Sequence, residues 1–342
     1  MKIGVLSGGG DAPGINAVIR AVVRKGIRNY GYEIIGIKDG WRGLIEESFM
    51  PLTFDTISGL LPRGGSILGT SRTNPFKHKG GPQKVLDTAK KNGIDAVVVI
   101  GGDDTLGVAA KIDKLGLPCV GVPKTIDNDL GLTDYTFGFN TAVQIACEAI
   151  DRLHTTAESH HRVIIVEVMG RDTGWIALEA GIAGGADIIL IPEEPFDIDE
   201  VCQNIRHRLK RGKTFSLVVV AEGAKPNGAN KIVYGTGVDE FGNPRLGGVG
   251  YYIGKEIEKC IDIETRVVVL GHLQRGGSPT AFDRVLATRY GIAAIDSVHN
   301  GNFGQMVALK GNKIVSVPLK DVAGKRKAVD MKLYEISKVF SG

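Results

Sequence analysis

Residues 97–105 read VVVIGGDDT. A run of valine and isoleucine ends on Gly101 and Gly102, and two carboxylates and a threonine follow. Apolar β-branched residues without alternation describe a strand buried on both faces. The glycines mark a tight strand-to-helix turn, and TLGVAAKIDKLG predicts the helix, with Thr105 at its start. Strand, glycine turn and helix form the unit of α/β proteins, in which ligands bind beyond the carboxyl ends of the strands. Two adjacent acids there pose a problem, because a glycine turn entering a helix suits an anion.

The same unit recurs along the chain. KIGVLSG, INAVIRAVVRKGIRNYG, YEIIGI and PQKVLDTAKKNG alternate as strand and helix before the opening stretch. After it come the strand CVGVPKT and the long helix NTAVQIACEAIDRLHTTAES. RVIIVEVMG, DIILIPE, FSLVVVAEG and TRVVVLG are strands, interleaved with the helices WIALEAGIAGG, DEVCQNIRHRLKRG and YYIGKEIEKCI and followed by TAFDRVLATRYGIAAIDSVHNG. The fold class expected is α/β, with mainly parallel doubly wound sheets in two lobes. Residues 224–248 break the rhythm. They are rich in Gly, Asn and Pro with one short apolar run, and predict a surface insertion or hairpin.

At 342 residues the chain is long enough for two domains. Its 43% hydrophobic and 23% charged content is that of a soluble globular protein. A net charge of +4 is too small to imply nucleic acid as a partner. No apolar run is long enough for a membrane span. The stretch MKIGVLSGGG has no long apolar region, and Cys119, Cys147, Cys202 and Cys260 form no C-x-x-C pair. A cytoplasmic protein is expected, its thiols serving as small buried hydrophobes.

Four stretches carry chemistry. SGGGDAPG follows the first strand and enters a helix, so its backbone N–H groups can approach an anion. It is neither a dinucleotide fingerprint nor a P-loop, and a plain tight turn is the bland alternative. In GGDDT, Asp103 is placed to hold Mg²⁺ beside a polyphosphate. Asp104 reads either as an ordinary first-turn acid or as a functional charge. In PKTIDND, residues 123–129, Asp127 and Asp129 are two apart and share a side if the chain is extended. One can act as general base toward a hydroxyl while its neighbour holds metal or water, and Lys124 offers a point charge to phosphate. The same residues also suit an ordinary loop. Lastly, Arg72, Arg162, Arg171, Arg266 and Arg275 stand at strand or loop boundaries. Each alone is a common surface charge; together they suit a substrate with more than one phosphate. His272 lies in the glycine-rich LGHLQRGGSP, and Glu222 ends a strand where it can accept sugar hydroxyls. A dehydrogenase is excluded for want of the dinucleotide fingerprint.

Together SGGGDAPG, GGDDT, PKTIDND, MGRDTGW and LGHLQRGGSP resemble the 6-phosphofructokinase family over most of the chain. GGDDT alone is weak evidence, since NAD kinases and lipid kinases carry similar turns. The resemblance implies an enzyme that phosphorylates the 1-hydroxyl of fructose 6-phosphate, with the active site in the cleft between the lobes. Asp127 would be the base, and Thr125, Lys124 and Arg171 would hold the transferring group. Asp103 and Asp129 would serve Mg²⁺. Gly9, Gly10, Arg72, Gly102, Asp104 and Thr105 would surround the donor. Met169, Gly170, Glu222, His272 and Arg275 would grip the sugar phosphate. Arg162 and Arg266 would reach in from a neighbouring subunit, which implies a homodimer or homotetramer with active sites at subunit interfaces. Residues 1–138 with about 274–325 would form the larger, donor-binding lobe and 139–273 the smaller, sugar-binding one. About 326–342 would be a C-terminal helical extension.

The resemblance also addresses the adjacent acids. ATP-using relatives usually have glycine at the position of Asp104, and many have it at that of Lys124. A carboxylate there occupies the space of the inner phosphate and sugar of a nucleotide and repels the α-phosphate. At an effective dielectric near 20, two like charges about 4 Å apart cost on the order of 4 kcal/mol before screening. Lys124 instead favours a free phosphate end. The pair resembles the branch that uses inorganic pyrophosphate and runs readily in both directions. The alternatives are an ATP-dependent enzyme with a shifted loop and, from another class, a non-catalytic sugar-phosphate-binding regulator. The presence of Asp127 speaks against the regulator. Arg211 and Lys213 are candidates for an effector site, or an ordinary basic helix end. His154 and Ala21 stand where effector-sensitive bacterial relatives commonly carry arginine.

Overall fold

The computed structural model describes residues 1–228, 233–238 and 244–340. Along the chain, β1 (Lys2–Ser7), α1 (Ile15–Tyr30), β2 (Glu33–Ile37), α2 (Trp41–Glu46) and β3 (Phe49–Pro51) are followed by α3 (Gly81–Lys91). Then come β4 (Ala96–Gly101), α4 (Asp103–Lys114), β5 (Cys119–Pro123) and the long α5 (Phe139–His160). β6 (Val163–Val168), α6 (Trp175–Ala183), β7 (Ile188–Leu190), α7 (Ile198–Lys210) and β8 (Ser216–Ala221) continue the alternation. β9 (Val233–Val238) and β10 (Pro244–Leu246) precede α8 (Val249–Cys260), β11 (Thr265–Val269) and α9 (Ala281–His299). β12 (Gln305–Lys310), β13 (Lys313–Pro318) and α10 (Met331–Lys338) complete the order.

The strands form two α/β sheets and one small pair. The larger sheet has the order β13-β12-β5-β4-β1-β2-β3, parallel from β12 to β2 and antiparallel at both edges. The smaller has the order β11-β6-β8-β7, parallel throughout. Period-two side chains divide each between two helix layers. Val98 and Ile100 of β4 pack with α1 and α9, whereas Val97 and Val99 pack on the opposite face with α4. In the smaller sheet Val166 and Val219 face α5 and α6, and Ile165 and Val218 face α7 and α8. The doubly wound parallel class expected from the apolar runs is therefore present.

The differences lie at edges and ends. α4 begins at Asp103, not Thr105, so both acids sit in its first turn, where the helix dipole favours them. The edge strands β3, β12 and β13 were not anticipated, being short or outside the βα rhythm. The 224–248 stretch contains the antiparallel pair β9–β10, as a hairpin requires; residues 229–232 and 239–243 lie outside the described residues. The C-terminal extension is helical over Met331–Lys338 only. Residues 341–342, included in the expected extension, also lie outside the described residues. Cys119 and Cys202 are buried, but Cys147 and Cys260 are only half-buried.

The starts of α5 and α9 are joined by one carboxylate. Asp283, in the first turn of α9, is fully buried. Its Oδ2 accepts from the backbone N–H of Thr141 at 2.8 Å and the Thr141 hydroxyl at 2.5 Å, at the start of α5. Thr141 Oγ1 in turn accepts from the Thr280 N–H. Removing the carboxylate strands a buried donor, which costs about 1–3 kcal/mol. Asp283→Ala is accordingly expected to lower the denaturant midpoint by that order, and an unchanged midpoint would show that the α5–α9 junction does not depend on it.

Candidate active site

Parallel strands point their carboxyl ends the same way, and the chemical motifs lie just beyond those ends. β1 delivers the GGGD loop, β4 the GDD turn, β5 the KTIDND loop, β6 the sequence MGRD and β8 Glu222. Close packing explains the glycine that ends β4. A Cβ on Gly101 would lie 2.4 Å from Thr105 Cβ. Thr105 is itself 3% exposed, and its carbonyl accepts from Trp41 Nε1 at 3.3 Å. Asp103 Oδ1 accepts from the Gly324 N–H at 2.8 Å.

Beyond β5, Lys124 is buried and donates to the Gly10 carbonyl at 2.5 Å. Burial, then the charge of Arg275, pushes its pKa down to about 7. Thr125 Oγ1 accepts from the Asp127 N–H at 3.0 Å. Asn128 has φ 52°, so Asp127 and Asp129 do not share a side through extended chain as the two-residue spacing suggested. They share the pocket because a left-handed turn lies between them. Oδ1 of Asn128 accepts from Thr136 N–H at 3.1 Å and from Lys327 Nζ at 3.0 Å, which helps to hold that turn.

Three carboxyl groups are linked here by charge, Asp129 and Glu222 each feeling Asp127. Asp127 is 8% exposed, and among the described residues its Oδ1 has no hydrogen-bond partner. Burial, then the charge of Asp127, raises Asp129 to about 7. The same two causes raise Glu222 to about 7. Glu222 Oε1 accepts the N–H of Arg171 at 3.2 Å, and Arg171 holds φ 55° after Gly170 at φ 141°. Arg275 reaches back to the Asp11 carbonyl at 3.1 Å.

One cavity is lined by Gly9, Gly10, Arg72, Gly102, Asp103, Asp104 and Thr105, together with Lys124, Thr125, Asp127, Asp129, Arg171 and Arg275. Those residues come from six separate stretches of sequence. Of the others expected, Gly170 and Glu222 adjoin through Arg171, Met169 packs against the core of the smaller sheet, and His272 lies in the turn that carries Arg275. Arg162 and Arg266 are not brought in. They stand at the amino ends of β6 and β11, with Glu264 as shared partner, a strand length of roughly 20 Å from Arg171. His154 contacts the Gly184 carbonyl at 3.0 Å and Ala21 is buried. Sequence reasoning missed Arg326, which also lines the cavity. The run KRKAVD looks like solvated surface charge and gives no signal of it.

A polar pocket that sets cations around carboxylates, beside a helix amino end at the carboxyl edge of a parallel sheet, suits an enzyme of phosphoryl transfer. A family model described as phosphofructokinase matches residues 2–298, and the chain belongs to that family. A Streptomyces coelicolor protein named pyrophosphate--fructose 6-phosphate 1-phosphotransferase is 57% identical over 343 residues, covering 100% of each chain. A Mycobacterium tuberculosis protein named ATP-dependent 6-phosphofructokinase is 52% identical over 343 residues, again 100% of each. The structure of Pichia pastoris phosphofructokinase in the T-state has a TM-score of 0.84 at 34% identity. That match covers 99% of this chain, which spans 36% of the longer yeast chain.

The raised carboxyl has a consequence for stability. Between about pH 4 and 7 the unfolded chain ionises Asp129 while the fold keeps it protonated, so this group destabilises the fold progressively as pH rises and fully above about 7. Asp129→Asn removes that charge. Its melting temperature without metal is expected to exceed the parent's by several degrees near pH 8, with the gap shrinking toward pH 5. A gap independent of pH would contradict the buried-charge account.

Proposed function

We propose that the protein transfers a phosphoryl group from inorganic pyrophosphate to the 1-hydroxyl of fructose 6-phosphate, reversibly and with Mg²⁺, giving fructose 1,6-bisphosphate. The observation that carries the choice of donor is that Asp104 and Lys124 line one pocket with Gly9, Gly10 and Asp103. Asp104 narrows and charges the side on which a nucleotide would continue, and Lys124 answers a bare phosphate. Overall similarity does not choose, because relatives named for either donor are about equally similar. The ATP-dependent reading is kept as the alternative on the strength of the mycobacterial name.

In this reading Asp127 takes the proton of the sugar hydroxyl. Its Oδ1, without a hydrogen-bond partner among the described residues, is the atom to accept it, and Thr125 and Thr173 fix the loop through the Asp127 N–H and carbonyl. Lys124, Arg171 and Arg72 spread the charge of the moving phosphoryl group, while the glycine loops let backbone N–H groups approach the donor. Glu222 and Arg275, with Met169, Gly170 and His272, orient the sugar phosphate. Among the described residues no group of three or more His, Cys, Asp or Glu side chains gathers as a metal cluster. Asp103 and Asp129 nonetheless fit Mg²⁺, which takes one or two carboxylates and completes its shell with phosphate oxygens and water. The buried, proton-retaining Asp129 is a site that a cation would relieve. Mg²⁺ would there neutralise diphosphate oxygens.

The two large sheets serve as cores of the two lobes, 1–138 with 274–325 and 139–273, and the pocket lies between them. Arg162 and Arg266, turned from their own pocket, complete that of a second subunit in a homo-oligomer. Val269, at the carboxyl end of β11, and Leu273, in the turn beyond it, are exposed and offer apolar surface for such a contact. No helix among the described residues is long and apolar enough to cross a membrane, and a cytoplasmic setting suits the substrates.

The deciding assay supplies fructose 6-phosphate and Mg²⁺ with pyrophosphate or with ATP and follows the bisphosphate. Product with pyrophosphate alone is expected, and product with ATP alone would overturn the donor. Asp104→Gly is expected to raise kcat/KM for ATP by about tenfold or more; no gain, alone or with Lys124→Gly, would defeat the charge argument. Asp127→Ser is expected to lose roughly 10²–10⁴ in kcat while still binding fructose 6-phosphate, and near-parental turnover would remove Asp127 from the base role.

A further inference from the structure

The segment between β13 and α10 is tied to the active-site loops at successive residues. Gly324 N–H donates to Asp103 Oδ1, Gly131 N–H donates to the Lys325 carbonyl at 2.8 Å, and Lys327 N–H donates to the Asp129 carbonyl at 2.8 Å. The Lys327 carbonyl accepts from Trp175 Nε1 at 2.9 Å. Val329 N–H donates to Glu193 Oε1, whose carboxylate also holds the Gly174 N–H. The strap thus touches the start of α4, the Asp127 loop and the start of α6 at once.

Two adjacent cations of the strap, Arg326 and Lys327, go to different places. Lys327 turns inward: Nζ donates to the Asp134 carbonyl at 2.6 Å, Asn128 Oδ1 at 3.0 Å and the Thr133 carbonyl at 3.2 Å, and lies 5.2 Å from the centre of the Trp175 ring. Arg326 faces the cavity among Asp103, Asp104, Lys124 and Arg171. Its Nη1 pairs with Asp172 Oδ2 at 2.5 Å, and its side chain is 56% exposed. An ion pair with that much water around it contributes little to folding. A guanidinium carries five N–H donors, so the fork keeps donors for a second anion. A diphosphate has no apolar surface and owes its affinity to charge and hydrogen bonds, which is the recognition a guanidinium fork provides.

We propose that Arg326 is a further donor-binding residue, its guanidinium gripping a phosphate of the donor while Lys327 anchors the strap beneath. The proposal rests on reading this cavity as the phosphoryl-donor site, and not on which donor fills it. The test compares the parent, Arg326→Gln and Arg326→Lys as full chains. KM for pyrophosphate, ATP and fructose 6-phosphate would be measured with Mg²⁺, together with calorimetric binding of pyrophosphate and of ATP and the melting temperature. Arg326→Gln is expected to raise KM and Kd for the donor that the parent accepts by about tenfold. KM for fructose 6-phosphate should stay within about twofold and melting should be unchanged, with Arg326→Lys recovering part of the loss. Donor KM and Kd at parental values would overturn the proposal. So would both KM values rising together with a lower melting temperature, which would mark Arg326 as structural. The parent's own donor preference judges the pyrophosphate reading separately. A parent that uses only ATP sinks that reading and leaves Arg326 to be decided by the ATP constants.

Discussion

The structure is organised around carboxyl groups that would be costly where they stand. Asp127, Asp129 and Glu222 are withdrawn from water within one another's fields, and the charge of Asp127 lifts both neighbours toward neutrality. A buried carboxylate needs hydrogen bonds or opposite charge. The protein supplies few of the former to Asp127, whose Oδ1 has no partner among the described residues. It supplies the latter generously, with Lys124, Arg171, Arg275 and Arg326 around the same space. Such a set is poorly balanced when empty and suited to anionic ligands, in keeping with sites that spend fold stability on function.

Lys124 is the reciprocal case. Its burial favours the neutral amine, and Arg275 adds to the effect, so the group gains most from an arriving phosphate. The backbone around it is closely packed. Its ammonium is held at the Gly10 carbonyl, and the GDD turn closes against Thr105 with no space for a side chain at Gly101. Phosphoryl transfer asks a protein mainly for position and charge, and those are the terms in which the loops are built.

Neither sheet builds the cavity alone. The larger contributes the GGGD, GDD and KTIDND loops, and the smaller contributes Arg171 and Glu222. Their relation is fixed at a few places: Asp283 between α5 and α9, Thr173 against the Asp127 carbonyl, and the strap that crosses from Asp103 to Glu193. Charged and polar contacts at such junctions set geometry more than they add stability, since each bond replaces one to water.

Much of this was legible in the sequence. Buried parallel strands must be apolar on both faces, and a turn that presents backbone to an anion must be glycine-rich, so VVVIGG, RVIIVEV and FSLVVVA announced the sheets and SGGGD, GGDD and KTIDND announced the site. Local periodicity reports local structure, and these are local features. It could not show that Asn128 is left-handed, because that conformation is held by Thr136 and Lys327 from elsewhere in the chain. Nor could it place Arg326 in the cavity. Spacing along a chain fixes which face of a strand or helix a residue takes. Which distant charges share a pocket depends on the order in which strands join a sheet, and on where the connecting segments return, which only the tertiary structure decided.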